Sequence, residues 1–332
     1  MNRLVDRYNR QHTYLRISVT DRCNLRCAYC MPVENMVWRK SEEILSFEEI
    51  LRVARVAVGM GVEKIRVTGG EPLVRSGVEQ LLVRLKQIPG LRTLAVTTNG
   101  VLLRRTLPAI RHAVDSFNIS LDTFRPDRFR QLTRRDALHD TLDGIEAALQ
   151  AGYRNLKINA VVMRGVNDDE LLEFAEFTAQ RPVAVRFIEF MPFSGNQWTL
   201  DKCVPMAEIL ERLEAGYHLS RIPDEASPIS RDYQLRSRAT GHQHQGTVGV
   251  IASMTQPFCS SCSRLRLTAE GKVMPCLHSP MEFDLQAVMR GGGDDAAIES
   301  LLLQAVGAKP KEHLPAEELA GHGVRVMIQI GG

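Results

Sequence analysis

The chain has no long apolar run. Nothing in it approaches the ~18 consecutive apolar residues that a membrane-crossing helix needs, so no membrane partner is expected. An excess of charge of one sign is missing as well: 42 basic residues are nearly cancelled by 39 acidic ones, leaving +3 over 332 residues. That balance gives no basic face or tail for a nucleic acid, although a local basic pocket for a small anion stays open. The first residues, MNRLVDRYNRQHTY, are charged throughout, Asp6 included, and lack the apolar core of a secretory signal. A soluble cytoplasmic protein is the expectation. Cysteine is scarce and odd in number, seven in all, yet six of the seven fall into two triplets, Cys23/Cys27/Cys30 and Cys259/Cys262/Cys276, with Cys203 apart. Few, clustered thiols in a long chain exclude a disulfide framework and point to metal binding in a reducing compartment; Cys203 reads as an ordinary thiol.

What is present is the material of a globular enzyme-sized chain. A hydrophobic share of 44% and a charged share of 24% allow a real core, and the length suits one large α/β barrel or two ordinary domains. From Tyr14 to Met191 the chain alternates between the two periods. YLRISV, EKIRVT, LRTLAVTT, DSFNISL, NLKINAVVM and AVRFIEF read as strands. Between them SFEEILRVARVAVGMG opens with a Ser46/Glu49 capping box, VEQLLVRLKQI and TLDGIEAALQAG follow the helical period, and Asn167 stands as a cap for DDELLEFAEFTAQ. A stretch from Leu102 to Ala113 is helical but interrupted by Pro108. Six such units predict a parallel sheet with right-handed crossovers and, lacking two of eight, a partial TIM-type barrel. Its chemistry belongs at the carboxyl ends of the strands, where the sequence places the Cys23–Cys30 loop, TGGEP, TTNG, SLD, Lys157–Asn159 and EFMP.

After about Pro223 the rhythm changes. DEASPISRDYQLRSRATGHQHQG reads as polar loop, followed by short strands around the second triplet, a helix over DDAAIESLLLQAV and the ending MIQIGG. The expected division is a barrel core over residues 1–225 and a smaller C-terminal α+β region over 226–332 that covers the barrel mouth.

The first triplet has the spacing C-x3-C-x2-C. Three thiolates so placed can hold one side of an iron–sulfur cube, in which each iron ordinarily takes one cysteine; the fourth iron is then open to a small ligand. A structural zinc ion with a ligand from elsewhere is the alternative. The second triplet, C-x2-C-x13-C, is again one short of four, and here His278 could complete a zinc site. Arg264 and Arg266 alternate along SRLRL, so in a strand they share a face, and two guanidiniums beside a metal centre suit an anion such as a phosphate chain.

An aromatic residue, Tyr29, precedes Cys30, and GGEP follows after the next helix and strand. With the cysteine spacing, these features resemble the radical S-adenosylmethionine superfamily. The resemblance narrows with HTYLRISVTDRCNLRCAYCMP, KIRVTGGEPLVR, TTNG, RFIEFMP, FC-x2-C-x-RLRLTA-x-GK-x-x-PCL and the terminal Gly-Gly. Together they resemble the GTP 3′,8-cyclases of molybdenum cofactor biosynthesis, the MoaA family, over nearly the whole chain.

The resemblance implies two 4Fe–4S clusters, one on Cys23, Cys27 and Cys30 and one on Cys259, Cys262 and Cys276. It implies S-adenosylmethionine contacts at Tyr29, Gly69, Gly70, Ser120 and Met191, and GTP contacts at Arg16, Arg66, Thr97, Lys157, Arg264 and Arg266. Four of these six GTP contacts are expected near strand ends. Arg264, Arg266, Gly331 and Gly332 take the catalytic positions, the diglycine end reaching toward the site. The implied reaction turns GTP into (8S)-3′,8-cyclo-7,8-dihydroguanosine 5′-triphosphate through hydrogen abstraction from the ribose 3′ carbon by an adenosyl radical. An electron donor protein and the downstream cyclic pyranopterin monophosphate synthase are the implied partners, and the assembly is compatible with a homodimer. Pro257, Ser263 and Ile328 depart from residues common in the family, and none removes an implied ligand. The nine histidines, His278 included, read as surface or structural.

Overall fold

The computed structural model describes residues 3–32, 36, 38–224, 229–321 and 325–331. Six parallel strands follow the expected order: β1 (Tyr14–Ser18), β2 (Lys64–Thr68), β3 (Thr93–Thr98), β4 (Ser116–Ser120), β5 (Leu156–Val162) and β6 (Val183–Glu189). The crossovers carry α1 (Phe47–Gly59), α2 (Val78–Lys86), α3 (Leu103–Ile110), the pair α4 (Pro126–Thr133) and α5 (Leu138–Gln150), and α6 (Leu171–Phe177). α1 begins where the sequence says it should: Ser46 accepts from the Glu49 N–H and Glu49 reaches back to Ser46. Its face from Ile50 to Val58 is buried against the sheet. α4 was not legible as a helix, and α3 runs through Pro108 to Ile110.

Beyond β6 come α7 (Met206–Glu214), β7 (Tyr217–Arg221), β8 (Arg231–Ser237), β9 (Gln243–Ile251), β10 (Arg264–Leu267), β11 (Lys272–Met274) and β12 (Phe283–Asp284). Helices α8 (Leu285–Arg290), α9 (Asp295–Gly307), α10 (Ala316–Gly321) and α11 (Met327–Ile330) end the chain. The twelve strands among the described residues form one open sheet in the order β12-β11-β10-β1-β2-β3-β4-β5-β6-β9-β8-β7. Here the structure adds to the six-strand expectation. β10 pairs parallel with β1 and β9 parallel with β6, so the later part of the chain flanks the six-stranded core on both sides. The partial barrel therefore has eight parallel strands in a row without closing.

Two local expectations are corrected. The segment read as polar loop contains the antiparallel pair β8/β9; its polar alternation is that of an antiparallel strand with one wet face, and residues 225–228 of it lie outside the described residues. Asn167 stands before a short 3-10 turn, Asp168–Glu170, but caps nothing with its side chain. Instead it accepts from Met163 N–H and donates to the carbonyls of Asp122 and Val161, tying the ends of β4 and β5 together.

The pleat decides which residues meet inside. In β5, Leu156, Ile158, Ala160 and Val162 are buried, while Lys157, Asn159 and Val161 turn the other way, into the barrel. β6 does the same with Arg186 and Ile188.

Candidate active site

A cavity of about 310 Å³ occupies the barrel, and its walls include all six clustered cysteines. Tyr29, Gly69, Gly70, Ser120, Met191, Arg16, Arg66, Thr97, Lys157, Arg264 and Arg266 line it too. Among the described residues the structure thus brings together every anticipated site residue except Gly331.

The first triplet sits on the loop leaving β1. Arg26 and Ala28 donate N–H bonds to the Thr133 and Leu132 carbonyls at 2.8 and 3.0 Å, and Cys30 and Met31 close a turn onto the Cys27 carbonyl. Asn99 donates to Asn24 Oδ1 at 2.7 Å, and Tyr29 donates its hydroxyl to Asp122 at 2.8 Å. Gly70 N–H meets the Thr20 carbonyl at 2.7 Å and Glu71 N–H the Arg22 carbonyl at 2.8 Å. These contacts explain the glycines from within the chain. A Cβ on Gly70 would stand 2.3 Å from the Arg22 carbonyl oxygen, and one on Gly69 2.7 Å from that of Thr20. Burial, then Glu71, pushes the Cys23 thiol up to about 11, and burial raises Cys27 and Cys30 as well. Thiols so placed become thiolates against a metal's positive charge. Burial also lifts Asp122 to about 6 and Glu71 to about 7.

Between the triplets the wall is cationic. Eight of the lining residues are Arg or Lys, and Asp122 is the only carboxylate among them. Parallel register sets these charges in rows: Arg266, Arg16 and Arg66 are direct partners across β10, β1 and β2, and Arg264, Tyr14 and Lys64 form the row two residues earlier. Thr97, Asn118 and Lys157 align across β3, β4 and β5. The expectation that four of the six GTP contacts lie near strand ends holds for Thr97, one residue from the carboxyl end of β3, and is corrected to mid-strand or amino-end positions for others. Arg16 and Arg66 are the third residues of five-residue strands and Lys157 the second of seven. Register in a parallel sheet, which spacing does not disclose, places them on the interior wall. Burial, followed by Arg186, Arg66 and Lys64, pulls the Lys157 ammonium down to about 7. Burial, then Arg16 and Arg264, holds Arg266 well below its usual range, and one of its terminal nitrogens has no hydrogen-bond partner. Buried cations with so little negative charge around them are a binding surface for an anion.

The second triplet faces the same cavity. Burial raises the Cys262 thiol, but Arg264 and Lys309 outweigh it and bring it down to about 7. Arg264 lies over the Phe258 ring at 4.6 Å. Of the two expectations for His278, surface or structural, the first is corrected: it is buried in the cavity wall beside Phe193 and His313, with Nδ1 unpartnered. Among the described residues no three Cys, His, Asp or Glu side chains converge closely enough to hold a single ion. Three thiols in each set are donors that an iron–sulfur cluster takes as cysteine thiolates and that a zinc ion also takes.

The tail docks at the barrel mouth. Ile328 and Ile330 are buried, and Thr68 donates its hydroxyl to the Gly331 carbonyl at 3.1 Å. Gly331 has φ +77°, and a Cβ there would stand 2.8 Å from Ser18 Cβ. Gly332 lies outside the described residues. Sequence reading missed Tyr14, Lys64, Arg186 and Lys309 as cavity residues. The first two were within reach, since each precedes a named arginine by two residues and shares its face.

Three thiols on a loop at the carboxyl ends of a partial parallel barrel, packed against a glycine pair, define a radical S-adenosylmethionine enzyme. The profile of the Radical SAM superfamily matches residues 17–178, and that of Molybdenum Cofactor Synthesis C matches residues 183–315. The chain is 46% identical over 332 residues to the GTP 3′,8-cyclase of Geobacter sulfurreducens, covering 99% of each. It is 43% identical over 331 residues to the mitochondrial GTP 3′,8-cyclase of Arabidopsis thaliana, covering 99% of this chain and 83% of that one. Streptococcus suis SuiB, solved bound to S-adenosylmethionine, shares the fold with a TM-score of 0.60 at 15% identity, over 89% of this chain and 69% of that one. The chain belongs to the GTP 3′,8-cyclase family of molybdenum cofactor biosynthesis, within the radical S-adenosylmethionine superfamily. That membership implies a 4Fe–4S cluster and S-adenosylmethionine. No helix among the described residues is long and apolar enough to cross a membrane.

Proposed function

We infer that this chain cyclises GTP to (8S)-3′,8-cyclo-7,8-dihydroguanosine 5′-triphosphate, with a 4Fe–4S cluster on each cysteine triplet. The observation that carries the reading is the cavity wall: eight cationic side chains against one carboxylate, between two sets of three thiols. Cys23, Cys27 and Cys30 would hold the first cluster, and Tyr29, Gly69, Gly70, Ser120 and Met191 its S-adenosylmethionine. Cys259, Cys262 and Cys276 would hold the second. When bound, the first cluster and S-adenosylmethionine supply the adenosyl radical that takes hydrogen from the ribose 3′ carbon, so that the sugar can close on carbon 8 of guanine.

The chain's own residues bind, orient and shield. Arg16, Arg66 and Arg266, one row across three strands, offer the triphosphate fixed guanidinium forks. Lys157, pulled down to about 7 by burial and its cationic neighbours, becomes fully charged when the polyanion arrives. Thr97 adds a hydroxyl in the row of Lys157, and Arg264 stands at the second triplet. The tail, docked through Gly331, would close the mouth toward water and carry the terminal Gly332 toward the site. An electron donor protein, the downstream cyclic pyranopterin monophosphate synthase and a homodimer are the proposed associations. The division into a barrel core (1–225) and a covering region (226–332) stands as a proposal of the same kind.

The test is anaerobic incubation of the reconstituted protein with reductant, S-adenosylmethionine and GTP deuterated at the ribose 3′ position. Deuterium in the 5′-deoxyadenosine is expected. Unlabelled 5′-deoxyadenosine would overturn the proposed abstraction from the ribose 3′ carbon while leaving the superfamily chemistry intact.

A further inference from the structure

The second triplet comes from irregular backbone. Cys259 begins a one-turn 3-10 segment after β9, Cys262 precedes β10, and Cys276 follows β11. What holds these loops comes from far away in the chain. Arg10 donates from one terminal nitrogen to the carbonyls of Cys259 and Lys311, at 2.7 and 2.8 Å, and from the other to the carbonyl of Pro310, at 2.6 Å. Its Nε is fixed by Asp6 Oδ2 at 2.6 Å. Asp6 in turn accepts from the N–H groups of Tyr8 and Arg10 and pairs with His12 Nε2 at 3.1 Å. At the start of the same turn Lys309, 3% exposed, donates to the carbonyls of Arg264 and Pro275, at 2.7 and 2.5 Å.

A buried cation must be partnered, and here the partners are main-chain carbonyls beside the cysteines: that of Cys259 itself, one residue before Cys276 and two after Cys262. A guanidinium offers five donors fixed in one plane, where an ammonium offers three on a flexible stem, so a lysine at position 10 would not reproduce the geometry that reaches three carbonyls and Asp6 together. We propose that Arg10, aligned by Asp6, and Lys309 are positioning residues that set the three thiols of the second triplet for its cluster. The N-terminal segment then belongs to the metal centre. This rests on the reading that the second triplet binds a cluster. A buried positive charge beside a cluster also favours its reduced state, so Lys309 would raise its potential.

The test uses the full chain with Cys23, Cys27 and Cys30 replaced by serine, so that reconstituted iron belongs to the second triplet. Iron, sulfide, the electron paramagnetic resonance spectrum and the midpoint potential are measured in this parent and with Arg10→Gln, Arg10→Lys and Lys309→Met added. Circular dichroism monitors folding. The parent is expected to take up about four irons per chain. Arg10→Gln should lose iron severalfold, and Arg10→Lys should retain an intermediate amount with an altered spectrum. Lys309→Met should shift the remaining cluster to lower potential. Full loading with unchanged spectrum and potential in all three would overturn the proposal. If Arg10→Gln does not fold, Arg10→Lys, which keeps the charge beside Asp6, decides between the same outcomes. A parent that takes up no iron overturns the second-cluster reading itself, and this inference with it.

Discussion

The Nε–H of Arg66 donates to the Tyr14 hydroxyl at 2.5 Å, from β2 across to β1. Burial would raise that phenol, but Arg66, Arg16 and Lys64 outweigh it and bring it down to about 7. The folded value thus lies below the unfolded one of about 10. Its contribution to stability is complete above about pH 10 and is lost as the pH falls through about 7. The cluster-free chain should show tyrosinate absorbance titrating near pH 7 that Tyr14→Phe lacks. Urea unfolding should also show wild type gaining stability over Tyr14→Phe between pH 7 and 10. Parallel stability curves for the two proteins would contradict the assignment.

Arg266 is buried with an unpartnered nitrogen in the cationic row. A charge-assisted bond contributes about 1.5–3 kcal/mol, so Arg266→Gln should weaken GTP binding on the order of 10- to 100-fold. Equilibrium dialysis checks this, with S-adenosylmethionine binding expected to stay within about twofold of wild type because its proposed contacts lie on β4 and on the loops after β1, β2 and β6.

Gly70→Ala forces a methyl to within 2.3 Å of the Arg22 carbonyl oxygen. Backbone cannot yield as a side-chain tip can, so the Cys23 loop must move. Iron bound at the first triplet should fall severalfold in a variant with Cys259, Cys262 and Cys276 replaced by serine. Retention of full iron would show that the two loops part without cost.

Cys276→Ala should abolish cyclisation while S-adenosylmethionine still binds at the first triplet. Chromatography of the nucleotide product and a binding isotherm separate the two effects. Loss of both in a correctly folded variant would mean that the triplets do not act as separate sites.

Glu189 ends β6 fully buried and accepts from Met206 N–H, Met254 N–H and Thr255, backbone and hydroxyl. Glu189→Gln turns one of its acceptor oxygens into a donor that faces donors, at a cost of about 1–3 kcal/mol. Thermal unfolding should begin several degrees lower; an unchanged melting curve would show that water replaces the lost bonds.

How much could be read without coordinates differs from place to place. Cys23, Cys27, Cys30 and Tyr29 lie within eight residues of one another, and the capping box at Ser46 and Glu49 is complete in four; such local patterns are legible because local geometry makes them. The β8/β9 pair was misread because an antiparallel strand at the sheet's margin keeps polar residues that look like loop. Arg10 and Lys309 gave no signal, because a cation that serves carbonyls 249 residues away in sequence, or 45 and 34 away for Lys309, has nothing periodic around it.

The sequence by itself determined the chemistry at hand: two incomplete thiol sets, a glycine pair, two arginines on one face and six βα units. Tertiary structure decided that these form one site. Parallel register set Arg266, Arg16 and Arg66 side by side, and strands β9 and β10 returned from the later part of the chain to flank the core, bringing the second triplet to the first. Register and strand return depend on which distant segments bury each other's apolar faces, and no short window of sequence contains both partners of such a contact.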